Sequence, residues 1–126
     1  MTDERRTRGA GVRREVLGDA HVDRAEAAAT DFDAPFQAFI AEGAWGTVWA
    51  SDAISRRERS MLTVALLAAL GNTDELALHL RATERTGASR QDVMQALLHV
   101  AVYAGVPRAN RAVAVAKAVF AEMDGP

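Results

Sequence analysis

Two of the three histidines stand in sequence contexts that suit acid–base chemistry near neutral pH. His79 follows Glu75 by four residues, and this spacing puts both side chains on one face of a helix. There the carboxylate could orient the imidazole, and the alternative is an ordinary ion pair at the surface. His99 lies in an apolar run and precedes Tyr103 by four residues on the same face. The alternative interpretation of His99 is a core histidine that forms a hydrogen bond with the backbone or with Tyr103. The third, His21, lies among acidic residues and is interpreted as a solvated surface residue.

A cluster of arginines precedes a long apolar run. Arg56, Arg57 and Arg59 fall just inside the start of a predicted helix, and Ser60 follows them. The planar guanidinium matches a carboxylate with two parallel hydrogen bonds, so Arg59 is a candidate carboxylate receptor. The equally favoured alternative is a salt bridge from Arg59 to Glu58 or Glu75.

Two tryptophans, Trp45 and Trp49, are spaced by four residues. Such a pair is more typical of a core or a subunit interface than of a stacking platform for a ligand.

Several chemistries are excluded by residues that the chain lacks. It has no cysteine, which removes disulfides, cysteine zinc sites, iron–sulfur clusters and cysteine nucleophiles. Neither a G-x-G-x-x-G nor a P-loop motif occurs, so nucleotide binding is unsupported. Metal binding is a weak alternative, because only Glu75, His79 and His99 offer a two-histidine, one-carboxylate set. We therefore predict no metal.

The elements that must position these residues are helical. The chain has 126 residues, of which 49% are hydrophobic and 25% charged, values typical of one globular domain. The sequence has no sustained alternation of apolar and polar residues, so we predict no β-strands. We predict that residues 1–11 form a flexible basic arm and that residues 12–126 form the helical domain. For the arm, a frayed terminus is favoured over a contact with nucleic acid. The apolar runs are all shorter than the ~18 residues of a membrane span, so we expect a cytoplasmic protein.

Glycine and proline mark the predicted helix boundaries. A first block is broken near Gly18, and a second begins close to Pro35 and weakens at Gly43 and Gly46. The third helix opens at a capping box of Ser55 and Glu58, and Gly71 ends it. A fourth helix runs from about residue 74 to 86, a fifth is capped by Ser89 with Asp92 three residues later, and a sixth begins at Pro107. The third helix is apolar almost all round, which favours oligomerisation.

Several blocks along the chain carry a resemblance to a known family. They are Leu17–Arg24, Trp45–Trp49, Arg59–Gly71, Glu75–Ala82 and Leu97–Pro107. In order and spacing these blocks resemble the 4-carboxymuconolactone decarboxylase (γ-carboxymuconolactone decarboxylase) family, over roughly residues 12–122. The wider alkylhydroperoxidase-like superfamily contains thiol enzymes with a C-x-x-C motif, and the absence of cysteine excludes that branch for this chain.

The resemblance implies an all-α fold of about six to seven helices in a single compact bundle of the alkylhydroperoxidase-like type. It also implies a ring of subunits, expected to be a homohexamer arranged as a trimer of dimers. The implied reaction is decarboxylation of 4-carboxymuconolactone to 3-oxoadipate enol-lactone, in the protocatechuate branch of the β-ketoadipate pathway. No cofactor, nucleic acid or membrane partner is expected. The alternatives are a related lactone decarboxylase or isomerase, and a non-catalytic oligomer that binds a small acid or a partner.

The chemistry of this reaction assigns provisional roles to the candidate residues. Arg59 would anchor the substrate, with Ser60 and Trp45 completing the predicted substrate-binding set. His79 or His99 would stabilise the oxyanion or donate a proton, and Tyr103 would be a second donor. Glu75 would orient His79.

Overall fold

The computed structural model describes residues 2–126, with side chains from residue 4 onward, and every regular element in this part of the chain is a helix. The elements are α1 (Thr2–Leu17), α2 (Asp19–Ala28), α3 (Ala34–Ile40), a π-helix (Ala41–Trp49), α4 (Arg56–Leu70), α5 (Thr73–Arg81), α6 (Thr83–Thr86), α7 (Arg90–Tyr103) and α8 (Val106–Asp124). The all-α prediction is confirmed. The helices group into two compact units, one ending at Ser55 and the other comprising Arg56–Pro126.

The predicted number of six to seven helices is too low, for two local reasons. The predicted fourth helix is divided at Ala82, where the Thr83 hydroxyl donates a 2.6 Å hydrogen bond to the Leu80 carbonyl. Such a side-chain bond competes with regular helix hydrogen bonding. The weak segment around Gly43 and Gly46 is neither a bend nor a break but the π-helix, whose wider turn continues the chain directly from α3.

In the first unit, α1 packs closely along the π-helix. Gly9 is buried, and a Cβ atom placed on it would lie 2.7 Å from the backbone nitrogen of Gly46. The Arg6 guanidinium donates to Glu42 Oε1 through Nε at 3.1 Å and through Nη2 at 2.7 Å. Residues 2–11, predicted as a flexible arm, therefore continue the same helix as residues 12–17 and pack against another element.

In the second unit, α4, α5, α7 and α8 surround one apolar core. Its residues are Val64, Ala68, Leu76, Leu80, Val93, Leu97, Val100, Ala109, Ala112, Ala116 and Val119. The alanines on the inner face of α8 are small, which lets that helix approach its neighbours closely. The predicted Ser89 cap at the start of α7 is confirmed, and it forms a full capping box: Ser89 Oγ accepts from the Asp92 backbone N–H, and Asp92 Oδ2 accepts from the Ser89 backbone N–H, both at 2.9 Å.

Two helices of the second unit present apolar stripes outward. On α4, Ser60, Val64 and Ala68 are buried, whereas the leucines two positions further along are more than half exposed. The outward apolar side chains are Leu62, Leu66 and Leu70 on α4, and Met94, Leu98 and Val102 on α7. No helix within residues 2–126 combines the length and apolarity needed to cross a bilayer.

Candidate functional site

His79 lies on the buried face of α5, between the core residues Leu76 and Leu80, and only 8% of it is exposed. The alternative interpretation of His79 as a surface residue is therefore wrong. Glu75, one turn earlier, is exposed and makes no hydrogen bond or ion pair within the described chain. The predicted orienting contact between Glu75 and His79 is thus not made within this single chain.

Ser60 is completely buried on α4, one turn before the core residue Val64. Its Oγ accepts and donates no hydrogen bond among the residues that the structure describes. A buried hydroxyl without a partner costs about 1–3 kcal/mol, so such a group in a folded protein calls for an explanation. Ser60 is a predicted substrate-binding residue, but its hydroxyl is enclosed in this single chain, so substrate binding by Ser60 stays a prediction.

The three arginines at the start of α4 have different surroundings. Arg59 is half-buried, and its backbone carbonyl accepts a 2.8 Å hydrogen bond from the Thr63 hydroxyl. Arg57 is bound to Asp92 by two hydrogen bonds, from Nε to Oδ2 at 2.7 Å and from Nη2 to Oδ1 at 2.6 Å. These bonds, together with those from Ser89, hold the pKa of Asp92 well below its usual range, and the same pairing raises the pKa of Arg57. Arg57 therefore joins α4 to α7, and the sequence pattern did not predict this partner.

His99 and Tyr103 lie on one face of α7, as their spacing predicts. Their rings are stacked, with centroids 6.2 Å apart and planes inclined by 16°. Both residues are exposed, and Tyr103 retains 84% of its accessible surface. The alternative of a core histidine at position 99 is therefore wrong.

The candidate residues do not all lie in one unit. Trp45 is buried in the π-helix of the first unit, with its ring centroid 5.3 Å from that of Trp49. This burial agrees with the interpretation of the pair as core residues, and substrate binding by Trp45 stays a prediction. The other candidates belong to the second unit, on α4, α5 and α7.

The candidates for metal binding are not brought together. Among the side chains of residues 4–126, no three histidines, aspartates or glutamates are close enough to hold a metal ion. The set of Glu75, His79 and His99 is therefore not assembled in this chain.

Comparisons with known proteins identify the family of this chain. Residues 34–118 match the model of the carboxymuconolactone decarboxylase family. The chain is 43% identical to 4-carboxymuconolactone decarboxylase of Acinetobacter baylyi over 124 residues, which cover 98% of this chain and 92% of that protein. It is 38% identical to nitrosuccinic acid decarboxylase of Metarhizium robertsii over 115 residues, which cover 91% of this chain and 80% of that protein. Because the family model covers most of the chain and the likeness to both relatives extends along nearly its whole length, the chain belongs to the carboxymuconolactone decarboxylase family.

Proposed function

We propose that this chain is a carboxy-lyase that converts 4-carboxymuconolactone to 3-oxoadipate enol-lactone and CO2 without a cofactor. The observation that carries the proposal is the 43% identity to a 4-carboxymuconolactone decarboxylase over 98% of the chain. The proposal places the reaction in the protocatechuate branch of the β-ketoadipate pathway and in the cytoplasm.

The substrate itself provides the electron sink for this reaction. When the bond between the ring carbon and its carboxylate breaks, CO2 leaves and the electron pair moves through the ring double bond to the lactone carbonyl oxygen. Protonation of the ring carbon next to that carbonyl then gives the enol-lactone. The protein must bind the retained carboxymethyl group, stabilise the developing oxyanion and supply one proton.

The second unit contains residue types for each of these tasks. The half-buried guanidinium of Arg59 is suited to bind the retained carboxylate, because it offers two parallel donors. The adjacent Ser60 hydroxyl, which has no hydrogen bond in the described chain, would be a further donor once its surroundings open to the substrate, because the residue is completely buried here. His79 is the stronger candidate for proton donation, since its apolar surroundings strengthen its electrostatic interactions with a developing charge. His99 and Tyr103 are the second pair of donors.

The exposed position of His99 and Tyr103 favours an assembly of several copies. On the same helix, 49% of Leu98 and 74% of Val102 are exposed. A contiguous exposed apolar patch on a protein surface often marks a site of protein–protein contact. Packing these stripes against another copy would bury apolar area and withdraw His99 and Tyr103 from water. We propose a homohexamer, built as a trimer of dimers, in which the stripes are the subunit contacts.

A second candidate substrate is nitrosuccinic acid, which the name of the relative with 38% identity supports. The chemistry is parallel, because a nitro group can accept the electron pair left by CO2 as the lactone carbonyl does. The higher identity and coverage of the lactone decarboxylase favour the lactone for this chain.

A coupled assay tests the proposal. 4-Carboxymuconolactone is generated in situ from the carboxymuconate by the cycloisomerase, this protein is added with excess EDTA, and CO2 and enol-lactone are followed. We expect rapid turnover of the lactone, and slower turnover of nitrosuccinic acid in a parallel reaction. If a well-folded oligomer turns over neither acid, a different acid substrate or a binding role replaces both candidates. If it turns over only nitrosuccinic acid, the second candidate replaces the first.

A further inference from the structure

The first unit contains a cavity that none of the proposed catalytic residues lines. Its volume is about 340 Å3, and it lies among α1, α2, α3 and the first residue of the π-helix. Most of its wall is apolar. The apolar lining residues are Ala10, Val22, Ala29, Ala34, Ala38 and Ala41.

Arg13 lines this cavity. Among the charged side chains of the lining, it is the one that makes no hydrogen bond or ion pair with the described residues. The side chain is half-buried, and its Nε is enclosed without a hydrogen-bond acceptor. No carboxylate of the described residues forms an ion pair with it. A guanidinium held in this way lacks the anion that normally offsets the cost of removing it from water.

The other polar side chains at the cavity already have partners. Arg6 is bound to Glu42 with its shorter contact at 2.7 Å, and Glu26 Oε2 accepts a 3.0 Å hydrogen bond from Arg14 Nη2. Gln37 Nε2 donates to Asp33 at 3.2 Å. Arg14 also binds Asp19 and Asp23, so the carboxylates around the cavity are not all neutralised. Arg13 is nevertheless the one charged side chain of the lining that makes no hydrogen bond or ion pair among the described residues.

We infer that this cavity binds the carboxylate of a short aliphatic acid through Arg13. The two terminal nitrogens of an arginine bind both oxygens of a carboxylate with two parallel hydrogen bonds, and these nitrogens are the part of Arg13 that we assign to the ligand. The alanine and valine walls suit a short hydrocarbon chain. Glu26 also lines the cavity and shares Arg14 with Asp19 and Asp23, so a ligand with one negative charge is repelled less than phosphate or sulfate with two. This site lies in the other unit from His79, Arg59 and Ser60, and its test does not depend on turnover.

Titration of the full-length protein with butyrate tests the inference, and butyramide is the neutral probe of nearly the same shape. The readouts are calorimetry and the 15N–1H resonance of the Arg13 side-chain Nε. We expect millimolar binding of butyrate with a shift of that resonance, and no binding of butyramide. Equal binding of butyramide, tighter binding of phosphate or sulfate, or no binding of butyrate would each overturn the inference.

Three variants and one control locate the site. Arg13→Gln should weaken butyrate binding about tenfold or more, because it removes a charged hydrogen-bond donor pair. Ala38→Leu should also weaken binding, since it fills the cavity and leaves Arg13 in place. Arg13→Lys keeps the positive charge but lacks the planar pair of donors, so it should bind butyrate more weakly than the parent. This variant tests the site even if Arg13→Gln fails to fold. The exposed Arg8 on the same helix provides the control: Arg8→Gln should bind as the parent does, and parental affinity in all three cavity variants would disprove the assignment.

Discussion

The guanidinium of Arg57 holds both carboxylate oxygens of Asp92, and the same carboxylate accepts the free backbone N–H of Ser89 at the start of α7. One carboxylate thus joins the first turn of α4 to the first turn of α7. The pKa of Asp92 is lowered by these donors, with the hydrogen bonds from Arg57 as the largest cause. The folded state therefore stabilises the ionised carboxylate of Asp92 relative to its protonated form.

This pairing predicts a pH dependence of stability. Because the pKa of Asp92 is lower in the folded chain than in the unfolded one, its contribution is complete above about pH 4 and is lost as the pH falls further. Asp92→Asn should lower the Tm at neutral pH, and the difference from the parent should shrink below about pH 4. Thermal melts between neutral and acid pH would measure it. Asp31→Asn, at an exposed aspartate, is the control and should show no such convergence; a constant difference for Asp92→Asn would contradict the prediction.

Replacing His79 tests the proposed proton donor. His79→Gln should reduce kcat by about 10²–10⁴-fold, the usual contribution of a general acid, while the far-ultraviolet circular dichroism stays unchanged. His21→Gln, in the first unit, is the matched control and should retain parental kcat. Parental activity in His79→Gln would remove His79 from the proposed mechanism and leave His99 as the remaining histidine candidate.

Ser60 allows a structural role to be separated from substrate binding. Ser60→Ala removes a buried hydroxyl that has no hydrogen bond in the described chain, so the free energy of unfolding should stay the same or rise by about 1 kcal/mol. If Ser60 binds the substrate, KM should increase in the same variant. Thermal melts and steady-state kinetics measure the two effects separately. A stabilised variant with parental KM and kcat would show that the hydroxyl does not bind substrate.

The apolar stripes predict a self-association that one charge can disrupt. Leu66 is 61% exposed at the middle of the α4 stripe, and each buried leucine contributes about 1.5–3 kcal/mol. Leu66→Lys should therefore shift the mass measured by light scattering to that of a smaller species. Ala114→Asp, at an exposed position on α8, should assemble as the parent does. A parent that is monomeric, or a variant with parental mass, would argue against these stripes as contacts.

Two glycines of α1 provide a paired test of close packing in the first unit. A Cβ on Gly9 would collide with the backbone of Ala41 and Gly46, whereas a Cβ on Gly11 would meet no atom within 4 Å. Gly9→Ala should destabilise the protein by about 1–3 kcal/mol, because the opposing atoms belong to the backbone. Gly11→Ala should instead stabilise it by about 0.5–1 kcal/mol through helix propensity. Urea unfolding of both variants gives the comparison, and similar effects of the two would refute the close approach.

The helix boundaries were largely predictable because local chemistry determines them. Gly18 and Gly71 adopt positive φ at the predicted breaks. Gly87, just after the predicted end of the fourth helix, and Gly105, just before the predicted start of the sixth, do the same. The capping box at Ser89 likewise follows from residues three positions apart. The π-helix was not predictable in this way, since glycines weaken an α-helix without specifying what replaces it.

The burial of the two histidines could not be predicted, because both lie in apolar runs. His79 shares a face with Leu76 and Leu80, and that face meets the core, whereas the face that bears His99 and Tyr103 points outward. Which face of such a helix is covered depends on elements distant in sequence. The cavity at Arg13 could not be predicted for the same reason, because its lining comes from several helices. The one sequence signal is the seven-residue spacing of Arg6 and Arg13, which places both on the same face of α1.

One arginine–carboxylate pair from each unit, each of which joins distant helices, bears on the order of folding. Arg6 and Glu42 are separated by 36 residues, and Arg57 and Asp92 by 35. The entropy lost on closing a loop grows only with the logarithm of its length, so the two closures cost the unfolded chain nearly the same. Loop closure by these two pairs therefore favours neither unit. The Ala- and Leu-rich α4 has a higher intrinsic helix propensity than the glycine-containing segment 41–49, so we expect the nucleus to form in the second unit.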